Sequence, residues 1–135
     1  MQTIIVGTDT SASADLAVAA AADLARVCEA SLVVLYVKPP LDPRDVFDPD
    51  GRPDPASYLD QIERRYSDLK VLTRQVHGDP AAAIRQVAED EGADLVVVGN
   101  RGIHGLKRWV LGSVPQAVLH KSPCSVLVVD TRSAQ

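Results

Sequence analysis

Aromatic side chains are scarce in this chain, at 4% of 135 residues, with a single tryptophan and a single phenylalanine. Its core must therefore be aliphatic, and the 46% of apolar residues supply one from valine, leucine, isoleucine and alanine. Cysteine is limited to Cys28 and Cys124. They form no CxxC pair, which excludes the common zinc and dithiol motifs. Both are expected as reduced, buried or half-buried thiols. Positive charge is in deficit, with 14 Lys and Arg against 18 Asp and Glu and a formal net charge of −4. A nucleic-acid partner needs a basic surface to meet its phosphates, so that class is excluded. A small anion is not, because it answers to local donors. No apolar run nears the ~20 residues that span a bilayer. Met1-Gln2-Thr3 leads straight into Ile4 with no basic segment ahead of it. The expectation is a cytoplasmic protein with no membrane partner, folded as one domain over residues 1–135.

Catalytic patterns are missing as well. There is no GxxxxGK[ST] loop, no G-x-S-x-G elbow and no second histidine after His104-Gly105 to complete an HxGH. A phosphoacceptor site of the response-regulator type needs paired acids after the first strand, and Asp9 stands alone there. His77 and His120 have no partner at metal-ligand spacing, so no metal site is expected. The chain reads as a non-enzyme.

What is present is a rhythm. Thr3–Thr8 (TIIVGT) is a short β-branched run of the kind buried on both faces of a parallel sheet. A helix follows over Ala14–Glu29, with Leu16, Ala20, Leu24 and Val27 at helical spacing. Ser31–Val37 is a second buried strand. Pro39–Pro55 holds six prolines and five aspartates and reads as a long loop. A second helix covers Ala56–Leu69, and Lys70–His77 alternates enough to suggest an edge or less covered strand. Asp79-Pro80 starts a third helix, and Gly92 stops it. Ala93–Val98, Ser113–His120 and Ser125–Asp130 complete the order as strand, helix and strand. The economical fold is α/β: a five-stranded doubly wound parallel sheet with four helices, its ligand site outside the carboxyl ends of the strands where the order reverses.

Three stretches fall at such ends: Gly7-Thr8-Asp9, Val37-Lys38, and Val98 with Gly99-Asn100-Arg101-Gly102. The last continues through Gly105 to Gly112-Ser113-Val114, where a helix opens. A glycine-rich loop feeding a helix N-terminus suits an anion, since unpaired N–H groups and the helix dipole both favour negative charge. Asp9 can contact a ligand or cap the first helix. Arg101, Lys107 and Arg108 can neutralise phosphate or stay solvated.

Gly99-x2-Gly102-x9-Gly112-Ser113 resembles the nucleotide-binding pattern of the universal stress protein family. So do Ile5-Val6-Gly7-Thr8-Asp9 and the tail from Pro123 to Val129. The resemblance implies a Rossmann-like fold of the adenine nucleotide alpha hydrolase type, a homodimer, and a nucleotide sensor binding ATP, with Mg2+ as its companion, or AMP or cyclic AMP. Carried over, it puts Asp9 beside the ribose with Thr8 next to it, and Val37 near the adenine. Val98, Gly99, Asn100, Arg101 and Gly102 would surround ribose and phosphates, and Gly112, Ser113 and Val114 the phosphate-binding helix start. At most it implies slow ATP hydrolysis or autophosphorylation. One departure is Pro115, where ATP-binding members often carry Ser or Thr. It removes an N–H and a hydroxyl, together on the order of 1–3 kcal/mol of phosphate binding. The dimer would form through the apolar fifth strand, whose edge is otherwise exposed. The alternative is a dimeric interaction protein that binds no nucleotide.

Overall fold

The computed structural model describes residues 1–38, 51, 53–100 and 113–131. Five strands, β1 (Thr3–Thr8), β2 (Ser31–Lys38), β3 (Val71–His77), β4 (Leu95–Gly99) and β5 (Ser125–Val129), alternate with four helices. These are α1 (Ala12–Cys28), α2 (Pro55–Arg65), α3 (Pro80–Glu91) and α4 (Ser113–Lys121). All strand pairs are parallel, and the order is β3-β2-β1-β4-β5. The chain therefore steps outward from β1 to β2 and β3, then crosses back to β4 beside β1. Right-handed crossovers require the helices to change face when the direction reverses. Accordingly α1 and α2 bury against one face of the sheet, α3 and α4 against the other.

The three inner strands carry both cores. Ile4, Val6, Leu32, Val34, Leu95 and Val97 face α1 and α2. The intervening Ile5, Val33, Leu35, Val96 and Val98 face α3 and α4. This alternation with no polar side is why these strands read as solid apolar runs. β3 and β5 are the edges and show a mixed exposure pattern, as Lys70–His77 led us to expect of β3.

The helix faces and ends differ from expectation in places. In α1 the buried residues are Ala17, Val18, Ala21, Ala22 and Ala25, while Leu16 and Leu24 are half-buried and Val27 is 82% exposed. Small side chains let the backbone of α1 approach the sheet closely, so the alanine stripe faces inward and the larger residues flank it. The same rotation leaves Cys28 exposed, not buried as expected; Cys124 is half-buried. α1 is capped by Ser11, whose Oγ accepts the Ala14 N–H at 3.1 Å. α2 opens at Pro55, inside the expected loop, because Asp54 caps it by accepting the Ser57 N–H at 3.2 Å. It stops at Arg65, where Tyr66 turns out of helical geometry, and a turn bond from Leu69 N–H to the Tyr66 carbonyl follows. The rest of the expected loop, Pro39–Asp50 and Arg52, lies outside the described residues.

Tyr58 of α2 is 3% exposed, and its hydroxyl donates to Asp15 Oδ1 in the first turn of α1. Burial, then the bond to Asp15, pushes the phenol well above its ordinary value. A raised folded value means that stability is intact below the unfolded tyrosine value near 10 and falls as pH rises above it. The wild-type protein should lose about 1.4 kcal/mol more per pH unit than Tyr58→Phe between about pH 10 and 11.5. Urea melts across that range measure it, and parallel slopes would refute it.

Candidate functional site

The order reverses between β1 and β4, so their carboxyl ends diverge and leave a crevice. A cleft enclosing about 630 Å³ of empty space, part of it open to solvent, occupies that position. The strand ends contribute Gly7, Thr8 and Asp9 from β1 and its turn, Leu35 and Val37 from β2, and Val98 and Gly99 from β4. Ser11, Ser13 and Ala14 come from the start of α1, Pro80 and Ile84 from α3, Val114 and Pro115 from the first turn of α4, and Thr131 from beyond β5.

The cleft has two unlike sides. Leu35, Val37, Ile84, Val98, Val114 and the two prolines make an apolar slot on the α3/α4 side. Thr8, Asp9, Ser11 and Ser13 make a polar rim where β1 turns into α1. A Cβ at Gly7 would meet Ile84 Cδ1 at 3.4 Å, an ordinary packing contact. The rim is a tightly bonded turn. Asp9 Oδ1 accepts the Ser11 N–H at 2.9 Å, and Thr8 Oγ1 accepts the Thr10 N–H at 3.0 Å. Thr10 sits in the left-handed region at φ 70° while only 3% exposed. A β-branched residue adopts that conformation only where its surroundings impose it. Asp9 thus closes the turn, while Ser11 is the helix cap proper.

Of the residues singled out from the sequence, Thr8, Asp9, Val37, Val98, Gly99 and Val114 come together around this cleft. Asn100 directs its side chain elsewhere. Its Oδ1 accepts both the N–H and the hydroxyl of Thr131, at 3.1 and 2.9 Å, and its Nδ2 donates to Asp130 at 3.3 Å. Arg101, Gly102 and Gly112 lie outside the described residues, as does the side chain of Ser113. Pro115 is buried in the cleft wall. In the first turn of α4 it breaks no intrahelical bond, but it withdraws one of the free N–H groups that a helix start offers an anion. Leu35, Ile84, Pro80 and Thr131 escaped the sequence reading. Leu35 shares a face with Val37 two residues on, and Thr131 follows a carboxyl strand end, so each carried a weak signal.

Gly99 is crowded by Thr131. An added Cβ would sit 3.1 Å from Thr131 Cγ2, and Thr131 is fully buried and held by Asn100. Gly99→Ala should therefore cost about 1–2 kcal/mol through crowding. Adding Thr131→Ser, which deletes that methyl and keeps the hydroxyl bond, should recover most of the loss in thermal melts. Simple additivity of the two substitutions would refute the contact.

Among the described residues no group of three or more His, Cys, Asp and Glu side chains is placed to hold a metal. No helix among them is long and apolar enough to cross a membrane.

Comparison with known proteins gives a consistent result. The model of the universal stress protein family matches residues 1–130. A Staphylococcus saprophyticus protein named for that family is 32% identical over 143 aligned positions, covering 96% of this chain and 84% of its own length. A universal stress protein of Bacillus subtilis is 37% identical over 92 positions, covering 56% of this chain and 62% of its own. Among solved structures, a universal stress protein in complex with cyclic AMP aligns with a TM-score of 0.77 at 31% identity, covering 96% of this chain and 97% of that one. A universal stress protein from Lactobacillus plantarum aligns with a TM-score of 0.77 at 25% identity, covering 95% and 97%.

Proposed function

The chain belongs to the universal stress protein family, and from that premise we propose that it is a cytoplasmic adenine-nucleotide sensor, not an enzyme. The observation that carries the reading is the two-sided cleft at the β1/β4 reversal. Its apolar slot suits a flat purine, and Val37 on the slot wall would offer a backbone contact near the adenine. Asp9 on the polar rim repels phosphate and suits the neutral hydroxyls of a ribose. The first turn of α4, beginning at Ser113, offers backbone N–H groups and a helix dipole to the phosphate end. The family resemblance would assign Gly99, Asn100, Arg101, Gly102 and Gly112 to that end. A 31% identical relative of known structure holds cyclic AMP, which supports the class of ligand.

ATP with Mg2+ is the ligand the family resemblance favours, and Pro115 weighs against it by withdrawing one donor. AMP and cyclic AMP need fewer phosphate contacts and gain relative to ATP. Ligand occupancy would act on the loop between Gly99 and Gly112 or on a dimer formed by β5. Val126 and Val128 on one face of β5 are half-buried, and Leu127 on the other is 37% exposed, an apolar edge suited to a second copy. The same edge supports the second reading, a dimeric interaction protein with no nucleotide.

Calorimetric titration with ATP, AMP, cyclic AMP and GTP separates the two. Trp109, the only tryptophan, falls between Gly102 and Gly112 in the sequence and offers a fluorescence signal in parallel. Heat with the adenine ligands and none with GTP supports the sensor; silence with all four overturns it.

A further inference from the structure

The chain that leaves β5 is fastened to the end of β4 by one side chain. Asn100 directly follows β4, and its backbone N–H donates to the Val129 carbonyl at 2.9 Å, just past the last register pair, Gly99 and Val129. Its side chain reaches the two residues beyond. Asn100 Oδ1 accepts the Thr131 N–H at 3.1 Å and the Thr131 hydroxyl at 2.9 Å, while Nδ2 donates to Asp130 Oδ1 at 3.3 Å. The chemistry of the partners allows one orientation of the amide. A backbone N–H can only donate and a carboxylate can only accept, so the amide oxygen faces Thr131 and the nitrogen faces Asp130. Both lone pairs of that oxygen are occupied by Thr131. Thr131 is thereby held fully buried in the cleft wall, its methyl lying 3.1 Å from where a Cβ on Gly99 would be.

The family resemblance counts Asn100 among the residues around ribose and phosphates, yet its side chain is committed to the segment after β5. We propose that Asn100 is a positioning residue and not a ligand contact: it latches Asp130 and Thr131 onto the end of β4, so that Thr131 closes the cleft on its β5 side, beside Gly99. The inference deepens the adenine-nucleotide reading above and rests on it. β5 ends at Val129, so ladder bonds no longer tie the following residues to β4. The three side-chain bonds of Asn100 take over at that point. Without them Thr131 loses the two hydrogen bonds that seat it, and the cleft loses that part of its wall.

The test exchanges the donor and acceptor of the Asn100–Asp130 bond and follows adenosine, a neutral ligand that does not itself respond to the moved charge. AMP in high salt, which screens its phosphate, serves where adenosine binds too weakly to measure. Asn100→Asp sets two carboxylates against each other across the present 3.3 Å contact. It should weaken adenosine binding by about tenfold, the effect of roughly one lost hydrogen bond. Adding Asp130→Asn rebuilds the pair in reverse. The double variant should recover the wild-type urea midpoint and bind adenosine within about threefold of wild type. An amide that touches the ligand itself would not be restored by a change at Asp130, so recovered stability without recovered affinity would overturn the proposal. So would an affinity that Asn100→Asp leaves unchanged, or a double variant no more stable than Asn100→Asp. If Asn100→Asp does not fold, Thr131→Val asks the same question by deleting the hydroxyl donor and keeping the branched shape. Asn100→Ala should then weaken adenosine less in the Thr131→Val background than in wild type, and equal losses in both would refute action through Thr131. A wild type that binds neither adenosine nor AMP fails at the nucleotide reading itself, whatever the melts show, and takes the positioning role down with it.

Discussion

Leu35→Ala is expected to remove about 2–5 kcal/mol of stability, the range for deleting a fully buried leucine. That is a large share of the roughly 5–15 kcal/mol by which a domain is stable at all. Leu35 is 0% exposed in β2, flanked by Val33 and Val37 on the same face and covered by α3. Its register partner on β1 is Gly7, which has no side chain to lean into a vacated space. The void would open toward the cleft, whose wall Leu35 forms. Nucleotide affinity should fall along with stability, because the apolar slot loses its floor. Leu32→Ala supplies the control: it is equally buried in the same strand but belongs to the core facing α1 and α2. It should lose comparable stability in urea melts and keep its nucleotide affinity once folded. Equal effects of the two substitutions on affinity would show that the slot is not where the base binds.

The contrast between these two leucines also shows where sequence reading stops. Period-2 alternation puts Leu32 and Leu35 on opposite faces of β2, and both were legible as buried strand residues. Which face borders a cleft depends on strand order, and no local signal in β2 encodes that β1 and β4 are adjacent. Strand limits were readable because apolar β-branched runs end at Gly, Asp or Lys; β1 was expected over Thr3–Thr8 and occupies those residues. The face of α1 was less readable. In an alanine-rich helix the side chains that bury best are the ones that discriminate least, so Val27 misled, Leu24 only borders the core, and Ala17, Ala21 and Ala25 carry the contact. At the cleft, the residues with special backbone or charge, Gly99 and Asp9, stood out in the sequence. The plain aliphatic wall did not, since a leucine or an isoleucine looks the same whether it faces a core or lines a site.

A carboxylate at position 114 should silence phosphate binding while sparing the fold. Val114 is half-buried, sits in the first turn of α4 and lines the cleft. At about 5 Å and an effective dielectric near 20, each pair of like unit charges costs on the order of 3 kcal/mol. AMP or ATP would therefore lose at least about a hundredfold in affinity to Val114→Asp. The fold meets the same charge differently. Near a helix N-terminus a carboxylate gains roughly 0.3–1 kcal/mol from the dipole and free N–H groups, offsetting part of the lost valine packing. Thermal melts should thus move little while calorimetry with AMP goes flat. Adenosine, which has no phosphate, should bind wild type and Val114→Asp alike, and that locates the effect at the phosphate end and not in the slot. Val114→Lys should push AMP the other way, toward tighter binding with a steeper salt dependence. If Val114→Asp binds AMP as wild type does, the phosphate does not lie at the start of α4. If adenosine is lost together with AMP, the substitution has distorted the slot and the charge argument fails.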